Sequence, residues 1–231
     1  VSRCLNAPNL VVPSTRERVL SAVQALGYTP NFGAQALAAK HTNTIGVVIP
    51  TMENAVFARG IQAFQEELVR NGKTLLIASS AYDEALEAEQ VRTIVARGAD
   101  GILLIGYHRS DAVYEYLAKR SVPFLVAWSF DPAQPQPAVG FNNKLAMAEL
   151  ARQVIRYGHR NIACISAPIA ANDRARERVA GIRLAMNEAG LSGDTLALTQ
   201  TPYGIEAGEI AFRSILAKAP GCTVVMCVND V

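Results

Sequence analysis

Four cations stand in the first 41 residues, Arg3, Arg16, Arg18 and Lys40, against a single anion, Glu17. The whole 231-residue chain has a net charge of only +2, so the rest is slightly acidic and the basic surplus is confined to the beginning. Such a surplus suits phosphate, which guanidinium and ammonium groups neutralise. A solvated basic helix is the ordinary alternative. Between Pro30 and Lys40 the chain reads P-N-F-G-A-Q-A-L-A-A-K. Asn31 can cap a helix there and Lys40 suits its C-terminus, yet the segment is shorter than the roughly 12–15 residues that hold a helix alone in water. It needs a partner. Gly33, Ala34 and Ala38 offer almost no side chain, so Leu37 projects as one large apolar residue able to wedge into something. A linker of helical composition is the plainer reading of the same residues.

Catalytic groupings are missing. His41, His108 and His159 are far apart and have no Ser or Cys partner in a motif. No G-x-G-x-x-G follows an apolar strand, and no Gly-rich phosphate loop ends in Lys, which argues against an enzyme on a dinucleotide fold. Cys4, Cys164, Cys222 and Cys227 have neither zinc spacing nor the density of a disulfide scaffold, and read as reduced thiols. We therefore expect no enzyme, cofactor or metal. No run approaches the ~20 apolar residues of a membrane span, and no charged start leads into an apolar signal core. A cytoplasmic location is expected. Val1 is not an initiator residue and both ends fall within elements, so a fragment is expected too.

Residues 1–5 read as the tail of a helix, followed by a turn over Asn6-Ala7-Pro8-Asn9. Val19, Ala22, Val23 and Leu26 make one helical stripe that Gly27 terminates, with Pro13 as a first helical residue but no capping side chain at Val12. After Lys40 apolar runs alternate with helical segments. Strands are expected at 45–49, 74–78, 101–105 and 122–126, with helices through Phe57 to Leu68, Leu86 to Val95 and Val113 to Leu117. Asp131 to Pro137 is Pro-rich and reads as a loop before a second unit. That unit has strands at Val139, 162–165, Leu196 and 224–228, and helices over 145–157, 178–189 and 205–216. Continuous apolar strands separated by helices imply a parallel sheet covered on both faces. The fold expected is α/β: two doubly wound parallel-sheet lobes, 42–138 and 139–231, behind an all-α start (1–30) and a hinge (31–41). Ligands of such sheets bind outside the strand carboxyl ends. That rule selects the loop after Ile49, Trp128, the segment Asn172 to Arg178, and Asn229-Asp230.

V-S-R-C-L-N at 1–6, T-R-E-R-V at 15–19, L-G-Y-T-P-N at 26–31 and A-Q-A-L-A at 34–38 follow one another at spacings that closely resemble the LacI family of bacterial transcription repressors. The resemblance covers essentially the whole chain. It implies a helix-turn-helix head whose recognition helix ends at Asn6, a hinge helix whose Leu enters the DNA minor groove, and a periplasmic-binding-protein-like effector domain. The DNA-binding positions it carries over are Ser2, Arg3, Asn6 and Thr15, with Asn31, Ala34, Gln35, Leu37 and Ala38 in the hinge helix. For the effector it selects Phe57, Trp128, Asn142, Arg178 in R-V-A-G, and Asn229 with Asp230. An aromatic face, an Arg fork and amide or acidic acceptors suit a sugar or sugar acid.

Each of these has an ordinary use as well: Phe57 in a core, Trp128 between lobes, Arg178 on a helix surface, Asp230 as a cap. The resemblance has gaps. The loop from Pro50 to Gly60 is about three residues shorter than the family form, Ala55-Val56 replace its Pro-Phe, and Asn142 stands where Asp is usual. The expected partners are double-stranded operator DNA, a small effector and a second copy of the chain, with no membrane. The rival is an extracytoplasmic solute-binding protein of the same two-lobed fold, which would have no use for a basic, Leu-bearing hinge.

Overall fold

The computed structural model describes residues 1–6, 8–29, 33, 39 and 41–229, with Asn6 through its main chain only. The chain divides into two compact units, Val1–Thr42 and Asn43–Val231. The first holds α1 (Ser2–Asn6), a 3-10 turn (Pro8–Leu10) and α2 (Pro13–Ala25). Pro13 opens α2, where its missing N–H costs nothing. Val12 supplies no side-chain cap, and Gly27 follows the helix with φ +56°. Of the stripe, Val19 and Val23 are half-buried while Ala22 and Leu26 are exposed, Leu26 to 81%.

In the second unit the first lobe is a five-stranded parallel sheet of order β2-β1-β3-β4-β5. Its strands are β1 (Thr44–Ile49), β2 (Thr74–Ser79), β3 (Gly101–Ile105), β4 (Phe124–Ala127) and β5 (Ala138–Val139). Its helices are α3 (Ala55–Arg70), α4 (Glu84–Ala96) and α5 (Asp111–Lys119). Alternate residues of the central strands feed opposite faces: Val48 and Leu104 pack with Val91, Ile94 and Leu117, while Val47 and Leu103 pack with Phe57 and Ile61. Burial on both sides is why these strands read as unbroken apolar runs. The second lobe is a three-stranded parallel sheet, β7-β6-β8, of β6 (Ile162–Ser166), β7 (Ala197–Gln200) and β8 (Val224–Cys227). It carries α6 (Asn143–Arg156), α7 (Asp173–Glu188), a 3-10 turn (Gly193–Thr195) and α8 (Ile205–Lys218).

Two expectations need correction. The strand at Val139 was expected to open the second lobe, yet it pairs with β4 in the first sheet, Val126 opposite Ala138, with Val126 N donating to Pro137 O at 2.9 Å. Apolar patterning identifies a strand but not the sheet it joins, and the crossing here follows Val139. The helix expected from Arg178 begins five residues earlier, because Asn172 caps it by accepting from Ala175 N at 3.2 Å. Arg178 is thus inside α7.

Side-chain caps start most helices of this unit: Asn54 for α3, Asp83 for α4, Ser110 for α5, Asn142 for α6 and Asn172 for α7. Each satisfies an N–H that the helix itself cannot pair. In the second lobe α6 and α7 approach closely through small residues. Ala148, Ala151 and Ala185 are buried, and a Cβ on Gly181 would overlap the Lys144 carbonyl oxygen and lie 2.9 Å from Ala148 N. Backbone atoms cannot give way as a flexible side chain can.

Gly181→Ala is therefore expected to lower stability by about 1–3 kcal/mol, an overpacking cost. Gly208→Ala, in α8 with nothing near the added Cβ, is expected to raise it by roughly 0.5–1 kcal/mol. Denaturant unfolding of the two variants beside the parent checks both signs. Burial, and then Cys227, push the Cys164 thiol up to about 12. Since the thiolate is the reacting form, iodoacetamide at mildly alkaline pH should leave Cys164 unlabelled until the chain is unfolded, while exposed Cys227 reacts in the native protein. Peptide mass mapping distinguishes the two.

Candidate functional site

In parallel sheets the carboxyl ends of all strands lie on one side, and in the second unit those of both lobes border one cavity of about 1050 Å³. Its walls are the segments that follow β1 (Pro50 to Asn54), β2 (Ala81, Tyr82), β6 (Ala167 to Asn172) and β7 (Pro202 to Ala207). Tyr82 from the first lobe and Tyr203 from the second meet across it, ring centroids 5.8 Å apart and tilted by 32°. Asn172 uses its carbonyl oxygen as the α7 cap and donates Nδ2 to the Tyr203 hydroxyl at 3.0 Å. Burial pushes the Tyr82 hydroxyl well above its ordinary value, Tyr203 adds to this, and Arg174 opposes it. Tyr82 thus lines the cavity as a neutral side chain whose hydroxyl is engaged with Tyr203 and Arg174.

Below the cavity the lobes are joined by buried charges at the end of β3. Asp173, first residue of α7, accepts from Tyr107 N at 2.6 Å and pairs with Arg174 at 2.9 Å. Arg174 donates to the Ile105 carbonyl at 3.2 Å. The same carbonyl accepts from Arg109, also at 3.2 Å. Arg109 in turn pairs with Glu87 at 2.6 Å and donates to the Tyr114 hydroxyl at 2.6 Å, over whose ring it lies. Burial works against the Arg109 charge, but Glu87 and Tyr114 together outweigh it and hold the guanidinium above its usual basicity. Gly106, at φ +70°, makes the approach possible: a Cβ there would occupy the space of Asp173 and Arg174. A cavity of about 20 Å³, the size of one water, lies at this junction between Tyr82, Glu84, His108 and Arg174.

A second polar chain crosses between the lobes. Asn143 donates to Trp128 O at 3.1 Å and accepts from Arg178 Nε at 2.9 Å, and Arg178 donates to Val228 O at 2.6 Å. Trp128 has φ +61° and packs edge-on against Phe57, centroids 5.4 Å apart. Trp128, Arg178 and the strand end before Asn229 are thus brought together, but as lobe-to-lobe ties. Phe57 is buried in the core beside Ile61, and Asn142 caps α6 by accepting from Leu145 N at 2.9 Å. Among the described residues none of Phe57, Trp128, Asn142, Arg178 and Asn229 lines the large cavity. Asp230 lies outside the described residues.

In the first unit Ser2 and Arg3 are on α1, and Thr15 is in the first turn of α2. Thr15 and Arg18 share a shallow depression of about 610 Å³ with the apolar stripe of α2. The side chain of Asn6, and Asn31, Ala34, Gln35, Leu37 and Ala38 of the expected hinge helix, lie outside the described residues.

Sequence reasoning missed Tyr82, Tyr203, Asn143 and the Glu87–Arg109 pair, and it selected the segment that holds Asp173 and Arg174 without foreseeing their contacts at the junction. The two tyrosines were within reach of the strand-end rule, since they follow β2 and β7 by three residues. Glu87 and Arg109 are 22 residues apart with no motif between them. Among the described residues no group of His, Cys, Asp and Glu is placed to hold a metal ion, and no helix is long and apolar enough to cross a membrane.

Residues 42–231 match the family model of periplasmic binding proteins and the sugar binding domain of the LacI family. Residues 1–31 match that of bacterial regulatory proteins of the lacI family. The HTH-type transcriptional regulator DegA of Bacillus subtilis (strain 168) is 30% identical over 235 residues, covering 100% of this chain and 69% of that protein. A solved LacI family transcriptional regulator from Silicibacter pomeroyi is 29% identical with a TM-score of 0.74, over 81% of this chain and 70% of its own. The complex of the transcriptional regulator CelR with cellobiose is 25% identical with a TM-score of 0.66, over 98% of this chain and 68% of its own. A regulatory head and a sugar-binding-type domain, each matched in its place, show that the chain belongs to the LacI family of bacterial regulatory proteins.

Proposed function

We propose that this protein is a ligand-responsive repressor: a homodimer that binds a roughly palindromic operator in the cytoplasm, with affinity set by a sugar or sugar acid held between its lobes. It works by binding and performs no catalysis. One observation carries this reading, namely that the large cavity takes its walls from both lobes, with Tyr82 and Tyr203 facing across it. A ligand in contact with both lobes has an affinity that depends on how they meet, and so biases that arrangement. By linkage, a ligand that weakens operator binding is itself bound more weakly by the operator-bound form. Tyrosine faces suit the C–H surface of a sugar ring, and the Asn54 and Asn172 amides suit its hydroxyls.

In this reading Trp128, Asn143 and Arg178 hold the lobes in register, and Asn229 with Asp230 remain candidates for effector contact. Ser2, Arg3, Asn6 and Thr15 meet DNA at the head, phosphate contacts setting register without reading sequence. Asn31, Ala34, Gln35 and Ala38 form the hinge surface from which Leu37 inserts between base pairs. A hinge that folds only on DNA is a switch, because any lobe movement that prevents its pairing releases the operator. The family match at residues 1–31 favours this over a solute-binding protein.

The test is operator binding by the full-length protein, measured by fluorescence anisotropy with and without saccharides. Leu37→Ala is expected to weaken specific binding by about tenfold or more and to reduce the DNA bend while leaving effector binding in place. Unchanged affinity and bend would remove the wedge role. Tyr203→Ala is expected to raise the effector concentration needed for half-response by about tenfold. A response curve that does not move would exclude the cavity as the effector site.

A further inference from the structure

In a sheet of order β2-β1-β3-β4-β5 the strand order reverses between β1 and β3, and the crevice outside the carboxyl ends of those two strands is where such sheets take a ligand. Here the chain itself fills that crevice. Ile49 ends β1 and Ile105 ends β3, and the space between Pro50 and Ile105 is only about 20 Å³, bordered by Asp173 and Arg174 of the second lobe. Both of those side chains are nearly buried. Asp173 accepts from the Tyr107 main-chain N–H and Arg174 donates to the Ile105 carbonyl, so together they hold both sides of the turn that leaves β3. They neutralise one another at 2.9 Å. A carboxylate on an N–H and a guanidinium on a carbonyl are charge-assisted bonds, the kind by which a polar ligand is held at a strand end.

The first lobe is shaped around these two residues. A Cβ on Gly106, at φ +70°, would fall on the Arg174 guanidinium and the Asp173 carboxylate. Ala81 and Tyr82 are not glycines, yet they stand in the left-handed region at φ +51° and +62°. Such a conformation persists only where surrounding contacts hold it. Tyr82 supplies them: its ring lies against Tyr203 of the second lobe, and its hydroxyl is engaged with Tyr203 and Arg174. Tyr82 also lines both the small crevice and the 1050 Å³ cavity. One strained turn therefore touches Arg174 on one side and the cavity on the other.

We infer that Asp173 and Arg174 are an internal latch: they seat in the switch-point crevice of the first lobe as a ligand would, and hold the two lobes closed with contacts that the chain itself supplies. Tyr82 is the positioning residue that ties the latch to the cavity wall. Closure of the lobes is then biased before any effector acts. An effector changes the arrangement only by the difference between its affinities for the latched and unlatched forms. The consequence for operator binding rests on the function proposed above, whereas the latch itself does not.

The experiment is a distance measurement between the lobes by pulsed electron paramagnetic resonance on the full-length protein. Nitroxides are placed through Lys119→Cys and Lys218→Cys, with Cys222→Ser and Cys227→Ser, and labelled chains are diluted into unlabelled ones. Residues 119 and 218 are exposed at the C-terminal ends of α5 and α8, one in each lobe. The parent is expected to give one narrow distance. Asp173→Ala combined with Arg174→Met removes both charges, so that neither is left buried alone. It is expected to move about half or more of the population to other distances. Gly106→Ala keeps both charges but denies them their seat, and is expected to do the same; it decides the matter if circular dichroism finds the double variant unfolded. A distribution that stays narrow in the folded variants overturns the inference. Tyr82→Phe, which keeps the ring and loses the hydroxyl, is expected to broaden the distribution part of the way, and an unchanged one removes Tyr82 from the latch. Operator affinity without saccharide, read by fluorescence anisotropy, is expected to shift by about fivefold or more in the double variant. Distances that change while operator affinity does not would leave the latch standing and overturn the proposed link from lobes to operator.

Discussion

The carbonyl oxygen of Ile105 is a central point among those through which the two lobes are joined. It ends the central strand β3, and it accepts from Arg109 of its own lobe and from Arg174 of the other. Both arginines are nearly buried, 8% and 7% exposed, so each needs a carboxylate beside it. Glu87 and Asp173 supply them. Removing one partner of a buried ion pair typically costs about 3–5 kcal/mol, because the other charge is left uncompensated. Geometry at this junction is accordingly narrow, and Gly106 marks its tightest place. Buried pairs of this kind are often close to neutral in net stability against apolar packing of the same volume.

The ligand space follows from that junction and from strand direction. All strands of both sheets are parallel, so helix starts and strand ends gather on one side of each lobe, and with β3 anchored to the start of α7 those sides face each other. Three helix N-termini, at Asn54, Asn172 and Gly204, therefore border the cavity. Two of them are closed by asparagine side chains and the third is balanced by Glu206. The same geometry that would make an anion site in another sequence makes here a wall of neutral amides, tyrosines and carboxylates.

The first unit has a different physical character. Its helices are short, its α2 stripe is partly exposed, and its cations Arg3, Arg16 and Arg18 are exposed. Little apolar surface is buried among its described residues.

Sequence alone determined the class of fold, the alternation of strands and helices, the confinement of basic charge to the head, and the absence of catalytic motifs. These depend on periodicity, composition and local spacing, which a linear chain displays directly. The motifs at 1–6, 15–19 and 34–38 likewise pointed to the family, since each is a run of neighbours. Tertiary structure decided the rest. That Ala138 and Val139 complete the first sheet rests on hydrogen bonds to β4 that no pattern encodes. That Arg178 and Trp128 tie the lobes while Tyr82 and Tyr203 line the cavity depends on which faces of α7 and which strand ends meet. The Glu87–Arg109 pair joins α4 to the segment after β3 within the first lobe, and the neighbouring Asp173 and Arg174 meet Tyr107 and Ile105 only where the two lobes pack. Contacts between residues distant in the chain are set by packing, and packing is where side chains of the same type are sorted into cap, tie and ligand surface.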